Sequence, residues 1–250
     1  MRLLAGLLYF CFLSAAADPQ RNIYTGLLDE VVPQVANGDG WRTAITLVNV
    51  DDKLAAFTLS FFDPDGKPML MTLVGQQMAA SKFNGTIPVS GSITLQTDGN
   101  GPLRQGWAKA ESGQRISGLA VFGSTDPASG RTQEAVVPLS SWSDTDFYMP
   151  FDNSNGFQTS MSICHPEPLS FASSTTLTLA FFSETGTRIY LDQITLRPGQ
   201  RLAFATVERW PQIAGRRGTV HVTSAGLFLS VLGLRFNPGG SFTSIHTLSR

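Results

Sequence analysis

The strongest constraint on this chain is that its larger part reads as one pattern written twice. Gly40-Trp41-Arg42-Thr43-Ala44-Ile45-Thr46-Leu47 is answered by Gly156-Phe157-Gln158-Thr159-Ser160-Met161-Ser162-Ile163. Phe57-Thr58-Leu59-Ser60-Phe61-Phe62 is answered by Leu177-Thr178-Leu179-Ala180-Phe181-Phe182. A unit of roughly 100 residues exceeds any solenoid repeat and fits a whole domain. The repetition is also an internal control, because a residue that the fold requires should recur in both copies.

Each copy alternates apolar and polar residues over short runs, the period of a half-buried strand. In the first copy Ala44, Thr46 and Val48 oppose Ile45, Leu47 and Asn49, and Phe57, Leu59 and Phe61 share a face. Strands are expected over Trp41 to Val50, Ala55 to Phe62, Lys67 to Val74, Ile87 to Thr97, Leu103 to Glu111, Ile116 to Phe122 and Glu134 to Leu139. The second copy repeats the order from Phe147, with strands near Phe157 to Cys164, Thr175 to Phe182, Thr187 to Leu196, Arg201 to Ala205, Thr219 to Thr223, Leu227 to Phe236 and Ser244 to Leu248. Asp63-Pro64-Asp65-Gly66 and Ser183-Glu184-Thr185-Gly186 read as matching tight turns. Sustained helical periodicity is missing outside the N-terminus, and one helical turn is expected near Val207-Glu208-Arg209-Trp210. The expected fold is all-β: two tandem antiparallel β-sandwich domains from an internal duplication, preceded by a signal peptide.

The boundaries follow. Arg2, the apolar run from Leu3 to Leu13 and Ala15-Ala16-Ala17 before Asp18 read as a signal peptide over 1–17. That run is too short to span a bilayer, so no transmembrane segment is expected after its removal, and the location is secreted or extracytoplasmic. Phe10 before Cys11 disfavours a lipid anchor. The first sandwich is expected over 27–140 and the second over 147–249. The linker carries Trp142, and the two sandwiches are expected to touch near Trp142 and Phe147.

Composition excludes several classes of function. The formal net charge is −1, so no global field steers the chain to nucleic acid. Of its 2 cysteines only Cys164 lies beyond the signal, which rules out an internal disulfide and suggests a buried strand residue. The 3 histidines, His165, His221 and His246, lie too far apart in sequence to suggest a zinc site. No Gly-x-Ser-x-Gly elbow marks a nucleophile. Asp63 and Asp65 resemble the start of a calcium loop, but the matched turn has Ser183 and Thr185, so the shared element is the turn itself. No cofactor and no catalytic or metal residue is expected, and the chain reads as a non-enzyme.

The two copies differ in length between strands. The first is longer over 75–84, and the second over 165–173 and 208–217. Loops that differ on otherwise matching frames are the natural recognition elements. The candidate binding residues are therefore Gln76, Gln77 and Lys82 in one loop and Arg209, Trp210, Arg216 and Arg217 in the other. Trp210 is the tryptophan best placed to stack on a sugar, and the arginine pair could grip an acidic group.

Gly106-Trp107-Ala108-Lys109-Ala110, Glu134-Ala135-Val136-Val137-Pro138-Leu139, Ala214-Gly215-Arg216-Arg217-Gly218-Thr219 and Leu234-Arg235-Phe236-Asn237-Pro238-Gly239 resemble paired all-β modules of secreted bacterial proteins. The similarity runs from about Val31 to Leu248 and carries no catalytic residues. It implies an accessory or surface-associated role. The expected partner is a surface protein or a polysaccharide, met through loops or strand edges. A carbohydrate-binding module is the alternative, with exposed coplanar aromatics as its signature. A hydrolase would need a serine or aspartate converging on a histidine.

Overall fold

The computed structural model describes residues 28–126, 130–140, 145–166, 174–224 and 229–249. The strands are β1 (Leu28–Asn37), β2 (Trp41–Asn49), β3 (Ala55–Phe62), β4 (Lys82–Ile87), β5 (Ser92–Gln96), β6 (Arg104–Ser112), β7 (Ile116–Thr125), β8 (Thr132–Pro138) and β9 (Asp146–Asp152). They continue as β10 (Gln158–Cys164), β11 (Thr175–Ser183), β12 (Arg188–Leu196), β13 (Arg201–Ala205), β14 (Arg217–Ser224), β15 (Ser230–Phe236), β16 (Phe242–Ile245) and β17 (Leu248–Ser249). A single helical turn, α1 (Thr206–Arg209), and a 3-10 turn over Pro211–Ile213 lie between β13 and β14.

Four antiparallel sheets form, with strand orders β1-β6-β3-β4, β5-β2-β7-β8, β12-β11-β14-β9-β17 and β13-β10-β15-β16. Apart from β17, the second pair repeats the first strand for strand. The first two sheets enclose a core that includes Ile45, Leu47, Phe57, Leu59 and Phe61. The other two enclose Met161, Ile163, Leu177, Leu179 and Phe181. These are the inward residues that the period-two alternation selects.

The match extends to single contacts. Thr43, fully buried, turns its hydroxyl onto both the N–H and the carbonyl of Ala36, at 2.9 and 2.8 Å. Thr159, equally buried, does the same to Asp152, at 2.8 and 3.1 Å. Gly106 and Gly218 pass so close to the neighbouring strand that a Cβ would lie 2.0 Å from the Phe62 carbonyl oxygen and 1.9 Å from that of Phe182.

Three expectations need correction. Lys67 to Val74 forms no strand, only isolated bridges at Pro68, Met71 and Leu73, and the strand that returns beside β3 is β4. Pro68 lacks an N–H, which limits a ladder there. Strand β1, absent from the sequence reading, is buried along its whole length although it carries Asp29, Glu30 and Gln34. Phe147 belongs to the second core, not to the junction, and Trp142 lies outside the described residues, as does the signal segment.

The sandwiches do touch, through other residues. Pro33 sits in a register shift of β1 between Val32 and Val35, and its carbonyl accepts from Ser162 Oγ at 2.7 Å and from Arg201 Nε at 3.1 Å. The turn after β3 docks on the segment before β13. There Pro64 accepts from the Arg201 N–H at 2.9 Å, Asp65 meets Arg197 at 2.9 Å, and Trp107 Nε1 donates to Gly199 at 3.0 Å. Trp41 and Phe122 of the first sandwich stack on Phe242 of the second, with ring centroids 5.8 and 5.7 Å apart.

Two predictions follow from this packing. Gly106→Ala and Gly218→Ala should each cost about 1–3 kcal/mol or more by overpacking, whereas Gly113→Ala, which meets open space, should cost far less. Denaturant unfolding of the three variants tests this. Glu30 is held at a pKa of about 7 by burial and, secondarily, by Asp29. The native state therefore keeps a proton that the unfolded chain releases above its ordinary carboxylate range. Stability should fall as pH rises from about 4.5 to 7, by on the order of 3 kcal/mol, and Glu30→Gln should flatten that slope. Melting temperatures from pH 4 to 8 test it, and an unchanged slope in the variant would refute the assignment.

Candidate functional site

The flank of the first sandwich, between the edge strands β4 and β5, is where the longer loop of that half falls. Its 63–81 segment first closes the core, burying Met69, Met71 and Leu73. The chain then turns at Gly75, whose φ of 82° suits glycine, and leaves Val74 and Met78 exposed at 63% and 81%. Beneath this turn lies a groove of about 840 Å³, floored by Phe57, Phe83, Ile93 and Leu95. Gln76, Gln77 and Lys82 line it together. Lys82 stands on the first position of β4 and not in a loop; it lies at the sheet edge that has no neighbouring strand among the described residues.

The matching flank of the second sandwich, between β12 and β13, is closed differently. Trp210 is 1% exposed and fills the space, with Ile213 beside it. Its Nε1 donates to Asp192 of β12 at 2.7 Å, and its ring meets Phe204 of β13 edge-on at 5.0 Å. The indole is thus a plug between sheet edges, so the expectation that it offers a stacking face to a sugar is corrected. Arg209 covers it from outside, its guanidinium 5.1 Å from the Phe204 ring and 5.6 Å from that of Trp210. Arg216 and Arg217 line a separate, shallower cavity of about 450 Å³ beside Glu184, and Arg217 pairs with Glu184 at 2.9 Å. Both partners are well exposed, so that pair adds little stability.

A third cavity, of about 260 Å³, lies where the sandwiches meet, and nothing in the loop lengths pointed to it. Trp41 and Phe122 wall it from one side, and Phe204, Leu232, Leu234 and Phe236 from the other. Arg201 also lines it and is only 3% exposed. Its Nε reaches Ser162 Oγ at 2.9 Å besides the Pro33 carbonyl, and its Nη2 donates to Gln34 Oε1. All three acceptors are neutral. Among the described residues no carboxylate pairs with Arg201, and its Nη1 donates to nothing. Burial pushes its pKa down to about 10. Register shows how this residue could have been noticed: Arg201 pairs opposite Cys164 as Ser92 pairs opposite Val48, and Ser92 is exposed.

The remaining sequence candidates fall to structural roles or stand apart. Asp63 caps its own turn by accepting from the N–H groups of Asp65 and Lys67, both at 2.9 Å, while Asp65 is engaged by Arg197. Cys164 is fully buried, and desolvation raises its pKa far above the ordinary thiol value. His165 is fully buried and His246 is exposed. His221 lies on the outer face of the second sandwich, 2.6 Å from Asp146 and stacked on Tyr148 at 4.3 Å. Among the described residues its ring makes no other hydrogen bond, so no serine hydroxyl adjoins it. No group of three His, Cys, Asp or Glu able to hold a metal occurs among the described residues. No described helix is long and apolar enough to cross a membrane.

No family model, curated protein or solved structure matches this chain. The plug assignment makes its own forecast: Trp210→Ala should cost about 3–5 kcal/mol in denaturant unfolding. A change within 0.5 kcal/mol, the range typical of surface positions, would restore Trp210 as a surface platform.

Proposed function

We propose that this chain is an exported, non-enzymatic binding protein made of two tandem copies of one β-sandwich. Its role lies in adhesion, surface assembly or accessory binding outside the cytoplasm. Duplication is supported by the repeated strand order and by the Thr43/Thr159 and Gly106/Gly218 contacts. Export is supported by the pattern of residues 1–17 and by the likeness of the Gly106–Ala110 and Glu134–Leu139 motifs to modules of secreted bacterial proteins.

The observation that carries the reading is the groove beneath Gly75 to Ala80, open beside the edge of β4 that has no neighbouring strand among the described residues. A strand edge offers backbone donors and acceptors to an extended chain, and an adjoining apolar pocket can select its side chains. Phe57, Phe83, Ile93 and Leu95 supply that pocket, while Gln76, Gln77 and Lys82 supply a polar rim. This chemistry favours an extended segment of a surface protein. A polysaccharide fits less well, because Trp107 and Trp210 are only 2% and 1% exposed and present no stacking face.

The test is a pull-down from the native envelope and surrounding matrix with three proteins: wild type, a variant carrying Met78→Glu and Phe83→Lys, and one carrying Arg216→Ala and Arg217→Ala. The groove variant should lose about tenfold or more of the retained partner while keeping a cooperative melt, and the arginine variant should keep it. Equal retention by wild type and the groove variant would overturn the placement.

A further inference from the structure

We infer that the cavity between the two sandwiches is a binding site for a small monocarboxylate with an apolar body, its carboxylate held by Arg201 and its body lodged against Trp41, Phe122, Leu234 and Phe236. The site stands apart from the groove on the flank of the first sandwich and rests on different observations.

A guanidinium carries five N–H donors and a charge that cannot easily be shed. In Arg201 the Nε and Nη2 sides are engaged by the Pro33 carbonyl, Ser162 and Gln34, which hold the side chain in one place. Those acceptors orient the group without neutralising it. Taking a cation out of water without a counter-charge costs several kcal/mol, and natural chains rarely leave such a charge uncompensated. Nη1 makes no hydrogen bond among the described residues, and Arg201 lines the cavity, which leaves room there for a counter-anion.

The walls decide what the anion must carry. An inorganic anion would satisfy the guanidinium and leave the aromatic surfaces unfilled. Gln34, Gln105, Ser160 and Ser162 also line the cavity, but most of its wall is apolar, and a sugar would set hydroxyls against that wall without partners. A flat or chain-like apolar body satisfies both requirements, the usual composition of a small-molecule pocket: apolar lining with one placed charge. Arg201 also has no counterpart in the first sandwich, where the register-matched residue is the exposed Ser92. The single sandwich therefore does not need an arginine at this position, and the contact between sandwiches uses its Nε and Nη2 but not its charge.

Isothermal titration of the full mature chain with sodium benzoate, with benzyl alcohol and sodium sulfate as controls, tests the assignment. Benzoate should bind at one saturable site and raise the melting temperature. Arg201→Met should weaken it about tenfold or more, the loss expected for a charge-assisted contact, and benzyl alcohol should bind at least as weakly. Because the loss of Arg201 disturbs the contacts to Pro33 and Gln34, a second variant keeps the guanidinium and blocks the mouth. Ala203 is exposed on the cavity rim, so Ala203→Trp should abolish benzoate binding and leave the unliganded melt intact. The inference is overturned by the absence of saturable benzoate binding up to about 10 mM, by undiminished binding in Ala203→Trp, or by benzyl alcohol matching benzoate. Sulfate binding as tightly as benzoate would reduce the site to an inorganic-anion site and overturn it equally.

Discussion

The edge of β1 is the constraint on which the rest of this structure depends. A sheet edge exposes unpaired N–H and carbonyl groups, and proteins must blunt or cover it. Here both devices operate. Pro33 removes one donor and coincides with the register shift, and its carbonyl turns away from the ladder. That carbonyl then needs a donor, and the second sandwich supplies two, Ser162 Oγ and Arg201 Nε. Strand β1 becomes the most buried strand of the first sandwich because another sandwich lies against it. The cost is a guanidinium taken out of water whose partners among the described residues are all neutral oxygens.

Both sandwiches face the same problem on their flanks and solve it with different segments. Two packed sheets leave an open side wherever their edge strands diverge, and the core must be sealed there. In the first sandwich Met69, Met71 and Leu73 seal it from the segment between β3 and β4. In the second, Trp210 and Ile213 do so from the segment between β13 and β14. Unequal loops are therefore lids before they are anything else. Recognition can only use what remains once the core is closed, and that remainder is larger on the first sandwich, where the chain continues past its lid to Met78.

This division explains which parts were legible in the sequence. The alternation in Trp41–Asn49 and Ala55–Phe62 reports burial by the partner sheet of the same sandwich, a local relation that period-two patterning encodes directly. Leu28–Asn37 carries carboxylates and a proline that break the period-two pattern of a buried strand. Its burial comes from residues more than a hundred positions away, such as Ser162 and Arg201. Gln76, Gln77 and Lys82 could be found because a length difference between copies marks a loop. Arg201 could not be found that way, since it opens a strand of ordinary length and only pairing register sets it against Ser92. Trp210 was legible as a loop residue and illegible as a plug, because a tryptophan in a loop carries no sign of which way its ring turns.

The same geometry links the cavity to the coupling between the sandwiches. Arg201 is buried against Pro33 and Gln34 of β1 and Ser162 of β10, so parting the sandwiches would return the guanidinium to water. Closure is therefore opposed by this charge and favoured by the aromatic contacts of Trp41 and Phe122 with Phe242 and by the docking of the Pro64 turn. An anion that neutralises Arg201 inside the cavity can exist as a bound species only in the closed arrangement. By linkage it must then stabilise that arrangement by as much as it prefers it. A carboxylate in this position would act as the missing component of the interface, and the stiffness of the paired sandwiches would follow its occupancy.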